Sequence, residues 1–269
     1  MPNTFPMLQP LVCFDVQNYQ EFSGSVPFLF STYEFDTMSY ITHVRFIPNG
    51  CIDLLIPISR SQIERTVKDY SNNQALILVG AADTLTKITL PENTHYFCIR
   101  FAPGVFYWNQ RTLPAELFKK ILYCENSKDY SPIMPKNLAR FESIEKRTAY
   151  WMDNVLPCLK KTYLTPTVVQ MIHDIVETFG SIRIEELSEK LSYSVRHTNR
   201  LFLNALGYGP KTFCKYVRIQ NVLSEIKKMP GLGSKSFLQK VCYSDQAHFQ
   251  REFKEFTGIT PRQYIQLLR

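Results

Sequence analysis

The stretch YSDQAHFQREFKEFTGITPRQY, Tyr243 to Tyr264, decides how this chain is read. Its spacing predicts a short amphipathic helix over Asp245–Phe256, a turn at Thr257-Gly258 and a Thr-Pro stop. Phe249, Phe253 and Phe256 form the stripe to be buried. Gln246, Ala247, Gln250 and Arg251 share the outer face. Such a helix either closes an ordinary helical hairpin or enters a DNA groove. One polar face does not decide between these, because most polar helix faces are simply solvated.

A second copy of the pattern shifts the balance. ELSEKLSYSVRHTNRLFLNALGYGPKTF, Glu186 to Phe213, runs short helix, Tyr-Ser turn, helix and Gly-x-x-Pro, as does FLQKVCYSDQAHFQREFKEFTGITPRQY, Phe237 to Tyr264. Tyr193-Ser194 matches Tyr243-Ser244, and Gly207 and Pro210 match Gly258 and Pro261. Arg200-Leu201-Phe202 matches Arg251-Glu252-Phe253 with one substitution. Two helix-turn-helix units within about 100 residues are far more specific than one. In the first unit Thr198, Leu201, Phe202 and Ala205 can face the core, leaving Arg196, Asn199, Arg200 and Leu203 on the other side.

Arg, Asn and Gln carry forked donors and acceptors that suit base edges in the major groove. The base-reading candidates are therefore Arg196, Asn199 and Arg200 in the first unit, and Gln246, Ala247, Gln250 and Arg251 in the second. Lys211, Lys215, Lys254 and Arg262 are placed for phosphates, which position a protein without reading sequence. His197 and His248 have no second His or Cys at closed-site spacing and read as packing or capping groups. Between the units, KTFCKYVRIQNVLSEIKKM spans roughly 28 Å as a helix. That length could hold two recognition helices about one DNA turn apart, with Phe213, Val217, Leu223 and Ile226 as its pins.

Charge follows the same division. Residues 164–269 hold 15 Lys and Arg against 9 Asp and Glu, a net +6, while residues 1–163 hold 16 against 15, a net +1. A basic segment joined to a neutral one suits a nucleic-acid binder, although a solvated basic surface gives the same count. The seven cysteines show no CxxC pair, which points to reduced thiols in cytosol. MPNTFPMLQP does not read as a signal peptide, and no apolar run reaches membrane-spanning length. A cytoplasmic protein is expected.

The first half is rich in β-formers. HVRFIPNGCIDLLIPI (His43 to Ile58) reads as two strands around Pro-Asn-Gly. ALILV (Ala75 to Val79) reads as a buried strand, and TKITLPENTHYFCIRFAP (Thr86 to Pro103) as two more. Helices are expected at Leu113–Leu122 and Ala139–Leu159. KKTYLTPT marks the boundary, giving a β-rich domain over residues 1–162 and a helical domain over residues 163–269. The fold class is thus α+β in two domains: a β-barrel or jelly-roll-like domain with trailing helices, then an all-α domain.

From Pro166 to Arg269 these residues resemble AraC/XylS-type bacterial transcription regulators, most specifically through YSDQAHFQREFKEFTGITPRQY. The resemblance implies two helix-turn-helix units joined by a long helix, and carries base reading to the seven residues named above. The family usually has Ala in the short helix of each unit and Gly in its turn. Here Ser188 and Ser192 stand in the first unit, and Leu238 and Cys242 in the second. A left-handed φ at Cys242 would carry a cost. RFIPNGCIDLLI, VGAADTLTKI, IRFAPGVFYW and LPAELFKKIL resemble a cupin-like sensor module found in some of these regulators.

The expected function is sequence-specific binding to double-stranded DNA, as an activator working with RNA polymerase, with no cofactor, no metal and no catalysis. A small-molecule effector is a further partner. Arg45 and Arg100 alternate with apolar neighbours and would suit an anion if they point inward, or pair with an acid such as Asp53 if they do not. A rival reading has the first domain only dimerise, with Trp151, Tyr150 and Leu156 as a homodimer surface. A remoter one is a cysteine-based DNA-repair methyl acceptor. That chemistry needs a four-cysteine zinc cluster and an activated thiol, whereas Cys13, Cys51, Cys98, Cys124 and Cys158 lie far apart.

Overall fold

The computed structural model describes residues 16–22, 30–37, 39, 42–58, 76–105, 107–108, 114–124, 138–158, 160–161, 164–228 and 235–267. The boundary expected at 162–163 lies outside the described residues. The first half comprises β1 (Val16–Phe22), β2 (Phe30–Thr37), β3 (Thr42–Phe46), β4 (Ile52–Ile58), β5 (Leu76–Val79), β6 (Thr86–Leu90), β7 (His95–Phe101), β8 (Tyr107–Trp108) and β9 (Ile121–Cys124). After these come α1 (Ile144–Asn154) and β10 (Lys160–Lys161). An antiparallel sheet runs β1-β2-β7-β4-β5-β9, and β3-β6 and β8-β10 form two-stranded sheets. The segments either side of Pro-Asn-Gly do not pair with each other: β3 joins β6, while β4 joins β7 and β5.

Both faces of the large sheet are covered, which explains why β7 is apolar on successive residues. Phe97, Ile99 and Phe101 pack with Leu54, Ile56 and Phe30 under α1. On the other face Tyr96 and Cys98 join Tyr33, Phe35 and Leu55 beneath Val44, Phe46, Ile88 and Leu90 of the β3-β6 sheet.

Two helix expectations need correction. Among the described residues of the Leu113–Leu122 segment only Pro114–Leu117 is helical, as a single 3-10 turn, and Ile121–Cys124 is a strand. Lys119 takes φ 59° and donates its N–H to Ala81 O at 2.7 Å, which turns the chain into pairing with β5. Sheet pairing overrides a modest helix preference here. In the Ala139–Leu159 segment the α-helix covers only Ile144–Asn154. Ser143 caps its start by accepting the Lys146 N–H, and Pro157 prevents its continuation.

The helical half comprises α2 (Pro166–Glu177), α3 (Ile184–Lys190), α4 (Val195–Leu206), α5 (Pro210–Lys228), α6 (Lys235–Lys240), α7 (Gln246–Thr257) and α8 (Pro261–Leu267). Pro166, Pro210 and Pro261 each stand at the first helical position, where the missing N–H costs nothing. The architecture is therefore the expected one: an antiparallel-sheet domain with trailing helix, followed by a helical domain with two helix-turn-helix units. Among the described residues no helix is long and apolar enough to cross a membrane.

Candidate nucleic-acid interface

The two units are built from the same local devices. In the first, α3 ends at a residue with left-handed backbone, Ser192 at φ 57°, and the Tyr193 N–H closes the turn onto Ser188 O at 3.0 Å. In the second, Cys242 takes φ 60° and the Tyr243 N–H closes onto Leu238 O at 2.9 Å. Both turns are Schellman-type caps with a residue other than Gly in the left-handed position. Leu238 is buried in the core.

Each recognition helix then receives a side-chain cap. Ser194 Oγ accepts the His197 N–H at 3.2 Å, and Asp245 Oδ1 accepts the His248 N–H at 2.8 Å. The caps show how the repeats superpose: Ser194 corresponds to Asp245, so the second turn is one residue longer. His197 and His248 then occupy one helical position, and each ring packs on the turn tyrosine, Tyr193 at 4.7 Å or Tyr243 at 5.3 Å. Both helices end on glycine with positive φ, Gly207 at 84° and Gly258 at 76°.

Thr198 and Phe202 of α4, and Phe249, Phe253 and Phe256 of α7, are buried in one core with Phe213, Val217, Leu223 and Ile226 of α5. The opposite faces are open. Arg196, Arg200, Gln246, Ala247, Gln250 and Arg251 are exposed, and Asn199 is half-exposed. Asn199 Nδ2 donates to Val195 O at 2.8 Å, which ties its amide to its own helix. Arg200 Nη2 lies 3.1 Å from His197 Nδ1. Lys211, Lys254 and Arg262 are exposed, whereas Lys215 is half-buried with Nζ 3.9 Å from Glu255. Leu203, Val195 and Tyr193 add exposed apolar surface beside the arginines of α4.

Glu252 was missed at the sequence level. It lies on the buried side of α7, where the first unit has Leu201, and is 4% exposed. Its carboxylate accepts from Arg218 Nη2 at 3.2 Å and Tyr243 OH at 3.1 Å, and lies 3.2 Å from His248 Nε2. Arg218 Nη1 also donates to Gly180 O at 2.7 Å, just beyond α2. One guanidinium from α5 thus bridges the entry to the first unit and the recognition helix of the second. Burial, then the Glu252 charge, pushes the Tyr243 hydroxyl well above its ordinary range and keeps it a donor. The available signal was an acid at position 252 inside a stripe spaced 249, 253, 256.

The β-domain candidates fall in different places. Arg100 is buried with its Nε 2.7 Å from Asp53 Oδ1, directly across the β4-β7 register. The same oxygen accepts from Tyr33 OH at 2.9 Å, and the guanidinium stands 5.1 Å over the Tyr33 ring. Arg45 is half-exposed opposite Lys87, on the face away from buried Val44 and Phe46. Burial pushes the Cys51 thiol up to about 12 and the Cys98 thiol well above its ordinary range. Among the described residues no three His, Cys, Asp or Glu side chains gather as a metal site. Trp151 does not form a dimer surface. It is fully buried, edge-on to Phe30 at 5.1 Å, within its own sheet's core.

Residues 187–266 match the model of a helix-turn-helix domain, and residues 28–121 match a domain of unknown function (DUF6597). Uncharacterized HTH-type transcriptional regulators of Staphylococcus aureus strains MSSA476 and MRSA252 are each 29% identical over 106 residues, 39% of this chain. The chain spans 14% of the length of these relatives. Among solved structures, the chain is similar to ToxT from Vibrio cholerae O395, at 14% identity and TM-score 0.44, covering 93% of this chain and 98% of that one. It is also similar to the C-terminal domain of AraT, a response regulator from Geobacillus stearothermophilus, at 22% identity and TM-score 0.37. That match covers 39% of this chain and 88% of the other. Residues 187–266 are thus a helix-turn-helix domain.

Proposed function

We propose that the chain regulates transcription by binding a specific double-stranded DNA site with α4 and α7 in successive major grooves. The observation that carries this reading is the pairing of two helices, each with a side-chain N-cap and a terminal glycine, whose open polar faces stand on one shared core. A helix-turn-helix places the N-terminal part of its second helix against base edges. Arg196 and Arg200 suit guanine, and Gln246 and Gln250 suit adenine. Arg251 also suits guanine, while Ala247 and Leu203 suit a thymine methyl. Asn199 is the weakest reader, because its amide already bonds its own helix. Lys211, Lys254 and Arg262 take phosphates, joined by Lys215 once Glu255 releases it.

In this reading residues 163–269 bind DNA and residues 1–162 sense a signal or dimerise. The bound complex activates through contact with RNA polymerase. An anionic effector at Arg100 would have to compete with Asp53, so the paired interior gives that site no support.

The test is a footprint on the DNA flanking the protein's own gene, at stated salt, with random DNA as competitor. Two protected major-groove segments about ten base pairs apart are expected. Protection that random DNA removes as readily as the cognate fragment does would refute sequence-specific reading.

A further inference from the structure

Four segments of the sheet domain stand out in sequence, and all four touch the helical domain. From RFIPNGCIDLLI, Ile47 and Cys51 enter the core of the helix-turn-helix units. The Gly50 carbonyl accepts from Tyr208 OH at 3.0 Å, and the Pro48 carbonyl from Gln220 Nε2 at 3.4 Å. From VGAADTLTKI, Ala81 enters the same core, and a Cβ on Gly258 would stand 3.0 Å from Leu85. From LPAELFKKIL, a Cβ on Gly207 would stand 2.6 Å from the Phe118 side chain and 2.9 Å from Ala115 O. From IRFAPGVFYW, Gly104 lies against Leu164, with no room for a side chain between them.

The placement of these contacts is what matters. Gly207 and Gly258 are the C-terminal caps of the two recognition helices, and Tyr208, Tyr216 and Gln220 lead into or lie on the helix that joins them. The sheet domain therefore holds the first unit, the connector and the second unit at once. The candidate base readers Arg196, Arg200, Gln246, Ala247, Gln250 and Arg251 are exposed, and Asn199 half-exposed, while the domains are docked.

We infer that the docked sheet domain is a brace that fixes the two recognition helices relative to each other, so that the docked state is the DNA-binding state. Leu85, Phe118 and Tyr208 are its positioning residues. The inference rests on the DNA-binding reading for its consequence, and on the contacts alone for its geometry. Two linked readers gain avidity only when their geometry permits simultaneous engagement. A braced pair should demand one half-site spacing.

The experiment uses the full chain and Leu85→Asp, with Leu85→Met as conservative rescue and Phe118→Ala as a second variant should the first not fold. Spin labels are placed at Asn204 and Glu255 through unnatural side chains, because the chain has seven native cysteines. Without DNA, wild type and Leu85→Met should give one narrow inter-label distance, and Leu85→Asp a broadened one. On DNA, Leu85→Asp should lose about tenfold in affinity at the native half-site spacing and tolerate a five-base-pair insertion that wild type rejects. An unchanged distance distribution in the folded variants would overturn the brace. So would tighter DNA binding by Leu85→Asp, since docking would then be inhibitory. If wild type shows no preference for any duplex, the DNA-binding reading fails, and the distances still decide the brace.

Discussion

The two helix-turn-helix units share their frame and differ in what fills it. Each has a left-handed turn residue, a side-chain N-cap, a His on a turn tyrosine and a terminal glycine. At the centre, however, the first unit has Leu201 against an apolar core, and the second has Glu252 in a buried ionic cluster. The frame repeats because capping is local, reaching only three to five residues along the chain. The fillings diverge because each answers a different neighbour. Arg218 on α5 faces the second unit and needs a partner there.

Breaking that difference should give the largest effect. Glu252→Ala leaves the part-buried Arg218 guanidinium and the buried Tyr243 hydroxyl without their carboxylate and should cost about 3 kcal/mol, read from urea unfolding. Leu201→Ala at the corresponding, half-buried place should cost about 1–2 kcal/mol. Equal costs would mean the ionic cluster adds nothing beyond packing.

The outer faces give the next contrast. Arg251→Ala should weaken specific DNA binding by about 1–3 kcal/mol. Arg200→Ala should fall at the low end of that range, because its guanidinium is shared with His197. Competition assays against random DNA separate base reading from phosphate contact: equal losses on both duplexes assign the residue to phosphate.

The turns should respond alike. Ser192 and Cys242 both pay for a left-handed backbone that glycine adopts freely. Ser192→Gly and Cys242→Gly should each raise stability by about 0.5–1 kcal/mol in chemical denaturation. Destabilisation of Cys242→Gly alone would show that its thiol packs better than its backbone suffers.

The smallest contrast is in the caps. The His248 main-chain N–H, then the Ser244 hydroxyl, hold the Asp245 carboxyl below its ordinary value. With the folded value depressed, the cap is complete above the ordinary carboxylate range, about pH 4, and is lost as pH falls through the folded value. Amide exchange at Gln246–His248, corrected for intrinsic rates, should therefore quicken in acid. Exchange at Val195–His197, capped by Ser194, should not. Asp245→Asn should abolish the difference.

Much of the candidate interface's geometry was legible before any coordinates. Phe249, Phe253 and Phe256 at helical spacing marked the buried side of α7, and the exposed polar face followed by exclusion. The duplication made the assignment specific. Glu252 showed in the sequence only as an acid within an aromatic stripe, and nothing there pointed to the arginine 34 residues earlier that neutralises it. Ile121 and Leu122 looked helical because the partner strand, β5, lies far back in the chain.

The sequence alone determined the elements whose causes lie within a turn or two: caps, breaks, helix faces and the twofold repeat. Such signals depend on side chains three to five residues apart, and a linear string carries them intact. The tertiary structure decided the rest. It buried Trp151 in its own sheet, set Arg100 on Asp53, and joined Arg218 to both units. It also laid Gly50 against Tyr208, 158 residues away. Those partners are chosen by close packing between distant segments, where shape, desolvation and charge must be satisfied together.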